Sequence, residues 1–277
     1  MSVAQRHPTT LVLDGEVTPI RVLLRDLWRS RELLVVLARK EFFVRYRRAS
    51  FGMMWAVGIP LVQAVVLAVV LHHFVRFKTA GAYPVFVFSG IVGWNFFSSG
   101  ISAATGSIVD NREISTKIYF PRAVFPAMAV LSGVYGMALT AVLLIAFESA
   151  YGTVPGFRTF LLVPAMALAV VLTVAVGLVL GAVQVYFRDV KFVVQAALLG
   201  WFYLTPVFYP LHAVGRLWPW LLANPVTGVV ELFRAGSVGA DPGWLPSLWW
   251  SLGWTALLVV AAAFLYRRFD RVFADLL

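Results

Sequence analysis

Six long stretches of this chain contain no Asp, Glu, Lys or Arg. They cover residues 51–75, 79–109, 123–147, 159–187, 192–215 and 242–266. A helix needs about 20 apolar residues to cross a bilayer, and every stretch is longer than that. Inside lipid only a helix or a closed barrel satisfies its own backbone, and these stretches are too continuously apolar for alternating barrel strands. The pattern predicts an all-α polytopic membrane protein.

The stretches predict six transmembrane helices, at about 51–75, 83–108, 123–147, 160–186, 192–211 and 247–266. The loops between them are too short for a second globular domain, so residues 51–277 form one membrane domain. Residues 21–50 precede it as an interface region, and residues 1–20 form an arm. This arm contains Asp14 and Glu16 and has no apolar core after a basic start, so it does not resemble a cleaved signal peptide.

The basic residues fall mainly on alternate loops. Of the 23 Lys and Arg residues, 18 lie before the first span or on the loops after the second, fourth and sixth spans, and five lie on the other loops. The positive-inside rule then places both termini in the cytoplasm. The formal net charge of +10 therefore matches anionic membrane lipids and does not indicate nucleic-acid binding.

The interface region begins with an amphipathic pattern. In residues 21–29 the apolar Leu23, Leu24, Leu27 and Trp28 share one arc of a helical wheel, and the charged residues share the other. Such a helix lies in the membrane interface and does not cross it. Residues 33–46 are also expected to be helical. The region is rich in basic residues, which serve either as membrane-anchoring charges or as contacts with a cytoplasmic partner.

The sequence contains no motor of its own. It lacks a phosphate-binding loop of the Gly-xxxx-Gly-Lys-[Ser/Thr] type, and no cytoplasmic segment is long enough for a nucleotide-binding domain. The spans show no charge relay for proton or sodium coupling. A separate ATPase would have to act on the two short charged loops, residues 110–117 and 187–191. The alternative is that each loop is only a solvated turn.

Several short motifs occur in a characteristic order along the chain. They are residues 39–60 (RKEFFVRYRRASFGMMWAVGIP), 89–97 (SGIVGWNFF), 119–122 (YFPR), 185–189 (VYFRD) and 205–210 (TPVFYP), followed by Asn224, Pro225 and Arg234. Together they resemble the type-2 ABC transporter permeases that export polysaccharides and polyol phosphates. The resemblance covers about residues 33–275.

This resemblance implies a subunit of the bacterial inner membrane that is not an enzyme and holds no cofactor. Family members form permease homodimers that associate with two copies of an ABC ATPase, which carries the ATP and Mg²⁺. By resemblance, residues 21–50 form the interface helix and residues 211–246 form re-entrant gate helices between spans five and six. The coupling residues would be Asp110, Arg112, Glu113 and Lys117 in the first loop, and Arg188, Asp189 and Lys191 in the second.

The expected cargo is a lipid-linked polysaccharide such as an O antigen, a wall teichoic acid or a galactan, moved outward through a channel at the dimer interface. Sugar rings stack on aromatic side chains, which suggests a channel lining of Trp94, Phe96, Phe97, Trp201, Phe202, Tyr203, Phe208 and Tyr209. The lipid phosphate would bind the basic residues Arg39, Lys40, Arg45, Arg47 and Arg48.

Other interpretations stay open. Trp and Tyr also gather at membrane interfaces in proteins of every function, so the aromatic residues are not specific for a channel. A type-2 exporter of small amphiphiles or drugs would share the fold. A membrane-embedded enzyme acting on polyprenyl phosphate would need clustered acids, and Asp110, Glu113 and Asp189 are the internal acids of the inner loops between spans.

Overall fold

A computed structural model describes residues 31–47, 49–74, 77–79, 81–111, 122–152 and 154–269. All regular secondary structure in these ranges is helical. The predicted arm at 1–20 and the amphipathic segment at 21–29 lie outside the described residues. So do four residues with predicted roles, Arg48, Arg112, Glu113 and Lys117.

Ten α-helices are described. They are α1 (Arg31–Tyr46), α2 (Met54–Phe74), α3 (Tyr83–Asp110), α4 (Val124–Ser132), α5 (Val134–Ala150), α6 (Leu162–Tyr186), α7 (Val190–Leu204), α8 (Trp218–Ala223), α9 (Thr227–Gly236) and α10 (Leu245–Phe269). A 3₁₀ helix precedes α6 at Phe157–Leu161, and another precedes α8 at Leu211–Leu217.

Four helical segments in the described ranges are long and apolar enough to cross a membrane. They are Tyr83–Asp110, Val124–Ala150, Phe157–Tyr186 and Leu245–Tyr266. The apolar segments Met54–Val70 of α2 and Val190–Leu204 of α7 are shorter. The 15 residues of α7 extend about 22 Å, whereas the hydrocarbon core of a bilayer is about 30 Å thick. Four of the predicted spans are therefore supported, and the first and fifth stay predictions.

The fifth predicted span, residues 192–211, is wrong at its carboxyl end. Helix α7 stops at Leu204, and Thr205 adopts an extended conformation with φ −102° and ψ 134°. The cause is Pro206, which has no N–H to donate and sterically disfavours a helical conformation in the residue before it. Residues 205–210 therefore leave the helix, and their backbone carbonyls are free to bind other partners.

Helix α3 lies at the centre of the molecule. Its side chains Phe86, Phe88, Ile91 and Ile101 are almost completely buried, and it packs against α2, α4, α5, α6, α7 and α9. Helix α6 packs closely against α3 and α4 at a Gly-xxx-Gly pair formed by Gly177 and Gly181. A Cβ atom added at Gly177 would lie 2.7 Å from Cβ of Ala104, and one added at Gly181 would lie 3.0 Å from Cγ of Pro126. The absence of side chains at these glycines is what permits this spacing.

Helix α1 confirms that the second half of the interface region is helical. Leu34, Ala38 and Phe42 are buried at a four-residue spacing, which is the spacing of one helix face, and α1 packs on α4. The charged residues Arg39 and Lys40 are exposed on the remaining surface.

Residues 204–245 form short helices and turns. The chain bends at Asn224, whose side-chain oxygen accepts hydrogen bonds from Nε1 of Trp201 at 3.1 Å and from the amide of Val226 at 3.0 Å. Helix α9, which follows this bend, is buried along its whole length between α3, α6 and α10. Residues 211–236 therefore form three separate short helices and not one long one. The re-entrant arrangement of residues 211–246 stays a prediction.

Candidate functional site

A cavity runs along α3 between α2, α5 and α7, and we call it the α3 cleft. Its volume is about 750 Å³, and it is open on one side. Trp55 and Gln63 of α2, Met137 of α5 and Leu198 of α7 contribute to its walls. Arg45, near the end of α1, lies at the margin where α2 begins. The cleft thus combines residues from five helices that are distant in sequence.

Half of the predicted channel aromatics line the α3 cleft. Trp94, Phe96, Phe202 and Tyr203 do so, whereas Phe97, Trp201, Phe208 and Tyr209 do not. The rings of Trp94 and Phe202 lie 5.6 Å apart, and those of Phe202 and Tyr203 lie 5.3 Å apart.

The other predicted aromatics mostly support the lining from behind. Phe97 packs on Trp94 at 5.9 Å and on Trp201 at 5.3 Å, and Phe208 lies 5.6 Å from Phe202. Tyr209 packs in turn on Phe208, at 5.1 Å. These seven rings therefore form one connected aromatic group, of which Trp94, Phe202 and Tyr203 line the cavity. A role in transport stays a prediction for all eight residues.

The α3 cleft also has a polar lining that the sequence analysis missed. Asn95 donates a hydrogen bond from Nδ2 to Oε1 of Gln63 at 3.0 Å, joining α3 to α2. The serines lining the cleft are Ser98, Ser99 and Ser102, and Gln195 faces it from α7. A sequence signal existed, because Asn95, Ser99 and Ser102 occur at positions i, i+4 and i+7 and so share one face of an apolar helix.

The predicted phosphate-binding residues do not form one site. Arg45 lines the α3 cleft beside Phe42 and Tyr46. Lys40 and Arg47 line a separate cleft of about 580 Å³ between α1 and the start of α2. Arg39 is not among the lining residues of either cleft but adjoins the second, because its guanidinium carbon lies 5.7 Å from the ring centroid of Phe43, which lines that cleft.

The predicted coupling loops are joined tightly to their helices where they are described. Asn111 donates from Nδ2 to the carbonyl of Ser107 at 2.8 Å, directly after the exposed Asp110. Between α6 and α7, buried Gln184 bridges both sides of the turn. Its Nε2 donates to the carbonyl of Arg188 at 2.9 Å, and its Oε1 accepts the amide of Lys191 at 2.8 Å.

The side chains predicted to contact an ATPase at this turn, Arg188, Asp189 and Lys191, are exposed. Gln184 itself was missed by the sequence analysis, because it lies inside an apolar span and outside the charged loop.

A buried ion cluster, also missed from sequence, lies away from the α3 cleft. Arg234 of α9 donates from one guanidinium nitrogen to Glu231, and from another to the carbonyls of Pro206 and Val207, the second at 2.8 Å. Both charged side chains are completely buried. The guanidinium carbon also lies 3.7 Å from the ring centroid of Phe86 in α3, which is a cation–π contact.

Asp241 extends this group, which we call the Arg234 cluster. Its amide donates to Oε2 of Glu231 at 3.2 Å, and its Oδ2 accepts the amide of Leu211 at 2.5 Å. The cluster therefore ties α9 to α3 and to the segment after α7. From sequence, Arg234 is one of the five basic residues on the loops opposite the predicted cytoplasmic side.

A second buried carboxylate is Glu148, at the end of α5. It accepts a hydrogen bond from Arg158 at 2.8 Å across the loop that leads to α6. Glu148 is completely buried, whereas Arg158 is about 38% exposed. The Glu148 carboxylate is therefore internal and paired. Among the described residues, no three His, Cys, Asp or Glu side chains group as potential metal ligands.

Comparison with known families agrees with the resemblance carried by the short motifs. The sequence model of the ABC-2 type transporter family matches residues 32–237. This chain belongs to the ABC-2 type transporter family. The matched range includes α1 through α9, so the α3 cleft, the turn held by Gln184 and Arg234 all lie within the family's shared region.

Individual relatives of this ABC-2 permease cover most of its length. The O-antigen export system permease protein RfbA of Myxococcus xanthus is 31% identical over 216 residues, which are 77% of this chain and 83% of that protein. RfbA of Klebsiella pneumoniae is 28% identical, over 74% of this chain and 81% of that protein. The polysialic acid transport protein KpsM of Escherichia coli is 25% identical, over 82% and 87%.

Proposed function

We propose that this permease is the membrane subunit of an ATP-driven exporter that moves a lipid-linked polysaccharide outward across the bacterial inner membrane. The observation that carries the proposal is the α3 cleft, which joins aromatic rings and amides along one central helix. A sugar polymer presents apolar C–H faces and hydroxyl groups, so it needs both kinds of contact. The similarity to permeases named for O-antigen export supports the same class of cargo, in which teichoic acids and galactans also belong.

A homodimer would close the cleft into a channel. The α3 cleft is open on one side and is flanked by α2 and α7. Both flanking helices carry strongly exposed apolar side chains, such as Val62 at 61% and Leu199 at 72%. A second copy of the chain packed against this side would cover the opening, and the cargo would pass between the two permeases. Lipid would cover the apolar surface that remains.

The energy would come from two copies of a separate ATPase subunit, which would hold the ATP and Mg²⁺. They would contact residues 110–117 and 187–191 from the cytoplasm. The two hydrogen bonds of Gln184 support this arrangement, because they make the second loop a stiff connection between α6 and α7. A push on a stiff turn tilts the attached helices, whereas a slack loop would absorb it.

The basic residues of α1 and the following turn would receive the lipid phosphate. With both termini in the cytoplasm, Arg45 lies at the cytoplasmic end of the α3 cleft, where the cargo would enter. Lys40 and Arg47 lie together on a neighbouring surface, with Arg39 and Arg48 close by in sequence. On the opposite side, α8 and α9 would form the re-entrant gate helices, held in place by the Arg234 cluster.

Reconstitution tests this function. The permease is purified together with its ATPase and inserted into inverted vesicles, and uptake of a radiolabelled lipid-linked glycan is measured with and without ATP. We expect uptake only with ATP and stimulation of ATP hydrolysis by the glycan. Stimulation by small amphiphilic drugs instead would show a drug exporter. Movement of glycan against a gradient by the permease alone, without nucleotide, would refute the proposal.

A further inference from the structure

Polar residues follow one face of α3 through the length of the cleft. Asn95, Ser99 and Ser102 are spaced at i, i+4 and i+7, and Ser98 adjoins them. Gln63 and Gln195 face this stripe from α2 and α7. Ser99, Ser102 and Gln195 are exposed to the cavity. The stripe and these two glutamines therefore present amides and hydroxyls to whatever occupies the cleft.

Holding helices together does not account for this stripe. Polar side chains between membrane helices often serve as interhelical hydrogen bonds, and the pair of Asn95 with Gln63 does this. Ser99 instead donates to the carbonyl of Asn95 in its own helix, at 2.5 Å. Its oxygen keeps the capacity to accept a hydrogen bond from a ligand. Three polar side chains exposed in an apolar helix bundle are more than packing requires.

The electrostatic character of the stripe is as informative as its polarity. Among the described residues that line the α3 cleft, Arg45 is the one charged side chain, and it lies at the margin. A chain with a charge on every sugar would lose hydration along the cleft without meeting an opposite charge. An uncharged chain would lose only the hydration of its hydroxyls, which amides and serines can replace.

We infer that the α3 cleft selects glycan chains whose repeating units carry no charge, with the amide and serine stripe as the specificity-determining element. Arg45 then binds only a single anionic group at the end of such a chain. This inference rests on the proposed function for its cargo class, and it narrows that class to O antigens and galactans with uncharged repeating units, because a teichoic acid carries a phosphate on every unit. The aromatic residues alone would not confer this selectivity, since rings stack on charged and uncharged sugars alike.

Binding to the full chain in lipid nanodiscs tests the inference without nucleotide or ATPase. Equilibrium dialysis would compare radiolabelled maltohexaose, which is uncharged, with hexagalacturonate, which has the same length and a carboxylate on every unit. We expect maltohexaose to bind at least about tenfold more tightly, because the carboxylates would be desolvated without a counter-charge. Equal or tighter binding of hexagalacturonate, or binding of neither probe, would overturn the inference.

Variants locate the effect in the stripe. Replacing Ser99 and Ser102 together by Val should weaken maltohexaose binding by about threefold to tenfold per lost hydrogen bond. Ser149→Val is the matched control, because Ser149 also donates to a carbonyl four residues earlier, at 2.9 Å, but lies outside the cleft. It should leave binding unchanged. Gln195→Lys adds a positive charge to the wall and should strengthen hexagalacturonate binding.

An unchanged affinity in the Ser99 and Ser102 variant would also count against the stripe. The outcome is separable from that of the reconstitution experiment. Charge-selective binding without ATP-driven export would support the inference about the cleft and contradict the proposed function. ATP-driven export of glycans without charge-selective binding would support the proposed function and contradict the inference.

Discussion

Arg234 is a completely buried cation that bonds to Glu231 and to two backbone carbonyls of the segment after α7. Arg234→Met would leave the Glu231 carboxylate buried without its counter-charge and would remove the donor for both carbonyls. We expect a loss of about 3–5 kcal/mol in the free energy of unfolding, as for other buried ion pairs that lose one partner. Unfolding of the purified permease in mixed micelles of mild detergent and dodecyl sulfate measures it.

The double variant Glu231→Gln with Arg234→Met is the control for charge. It removes the unpaired carboxylate while keeping a side chain that can accept the amide of Asp241, so part of the stability should return. If the double variant were as unstable as the single one, the loss of stability would come from the missing bonds to the carbonyls and not from the unpaired carboxylate.

Residue-level roles were the least predictable from sequence. Sequence alone identifies Arg234 only as a charge between the fifth and sixth predicted spans. Its burial depends on the contact between α3 and α9, which are far apart in the chain and meet only in the fold. The glutamate three residues earlier was the one local sign of a pair. It was equally hard to predict from sequence which aromatic residues face the cleft. Successive residues point in different directions around a helix, so Trp94 lines the cleft while Phe97 packs behind Trp94.

The packing of α6 against α3 depends on Gly177, whereas Gly200 in α7 has open space around it among the described residues. Gly177→Ala would place a Cβ atom 2.7 Å from Cβ of Ala104, closer than atoms of this kind approach in proteins, so α6 would have to move away from α3. We expect lower stability in the same unfolding experiment, even though alanine has a higher helix propensity by about 1 kcal/mol.

Gly200 in α7 is the matched control, because a Cβ atom there would have no neighbour within 4 Å among the described residues. Gly200→Ala should be neutral or stabilising by up to about 1 kcal/mol, since only the propensity term applies. Opposite signs for the two variants would confirm that close packing of α3 and α6 requires Gly177. A neutral Gly177→Ala would show that the helices separate at little cost.

The positions of the long helices were largely predictable from the length of the segments that contain no charged residue. The span predicted at 83–108 corresponds to Tyr83–Asp110, and the span predicted at 160–186 lies within Phe157–Tyr186. The prediction failed at the carboxyl end of the fifth span, where the composition is apolar but the backbone cannot continue the helix. Residues 205–211 are as apolar as a span, but Pro206 ends the helix before them, and apolar composition alone does not register a missing N–H group.

At the scale of the whole molecule, the proposed function has an ATPase act on the turn between α6 and α7, from which force would pass along α7 to the α3 cleft that α7 lines. Gln184 fixes that turn with two hydrogen bonds, each contributing about 1 kcal/mol. Gln184→Leu replaces the amide by an apolar side chain of similar size and so removes both bonds. We expect the ATPase to bind and hydrolyse ATP as before, while the amount of glycan exported per ATP falls.

Arg188→Ala separates transmission from contact. The Arg188 side chain is exposed, and only the carbonyl of this residue accepts the bond from Gln184, so the substitution leaves the turn intact and alters the surface offered to the ATPase. It should weaken co-purification of the ATPase without changing export per ATP in the complexes that form. Because the two variants change different quantities, the same reconstituted vesicles distinguish them. Unchanged export per ATP in the Gln184 variant would mean that force reaches the cleft by another path, with residues 110–117 as the remaining cytoplasmic connection.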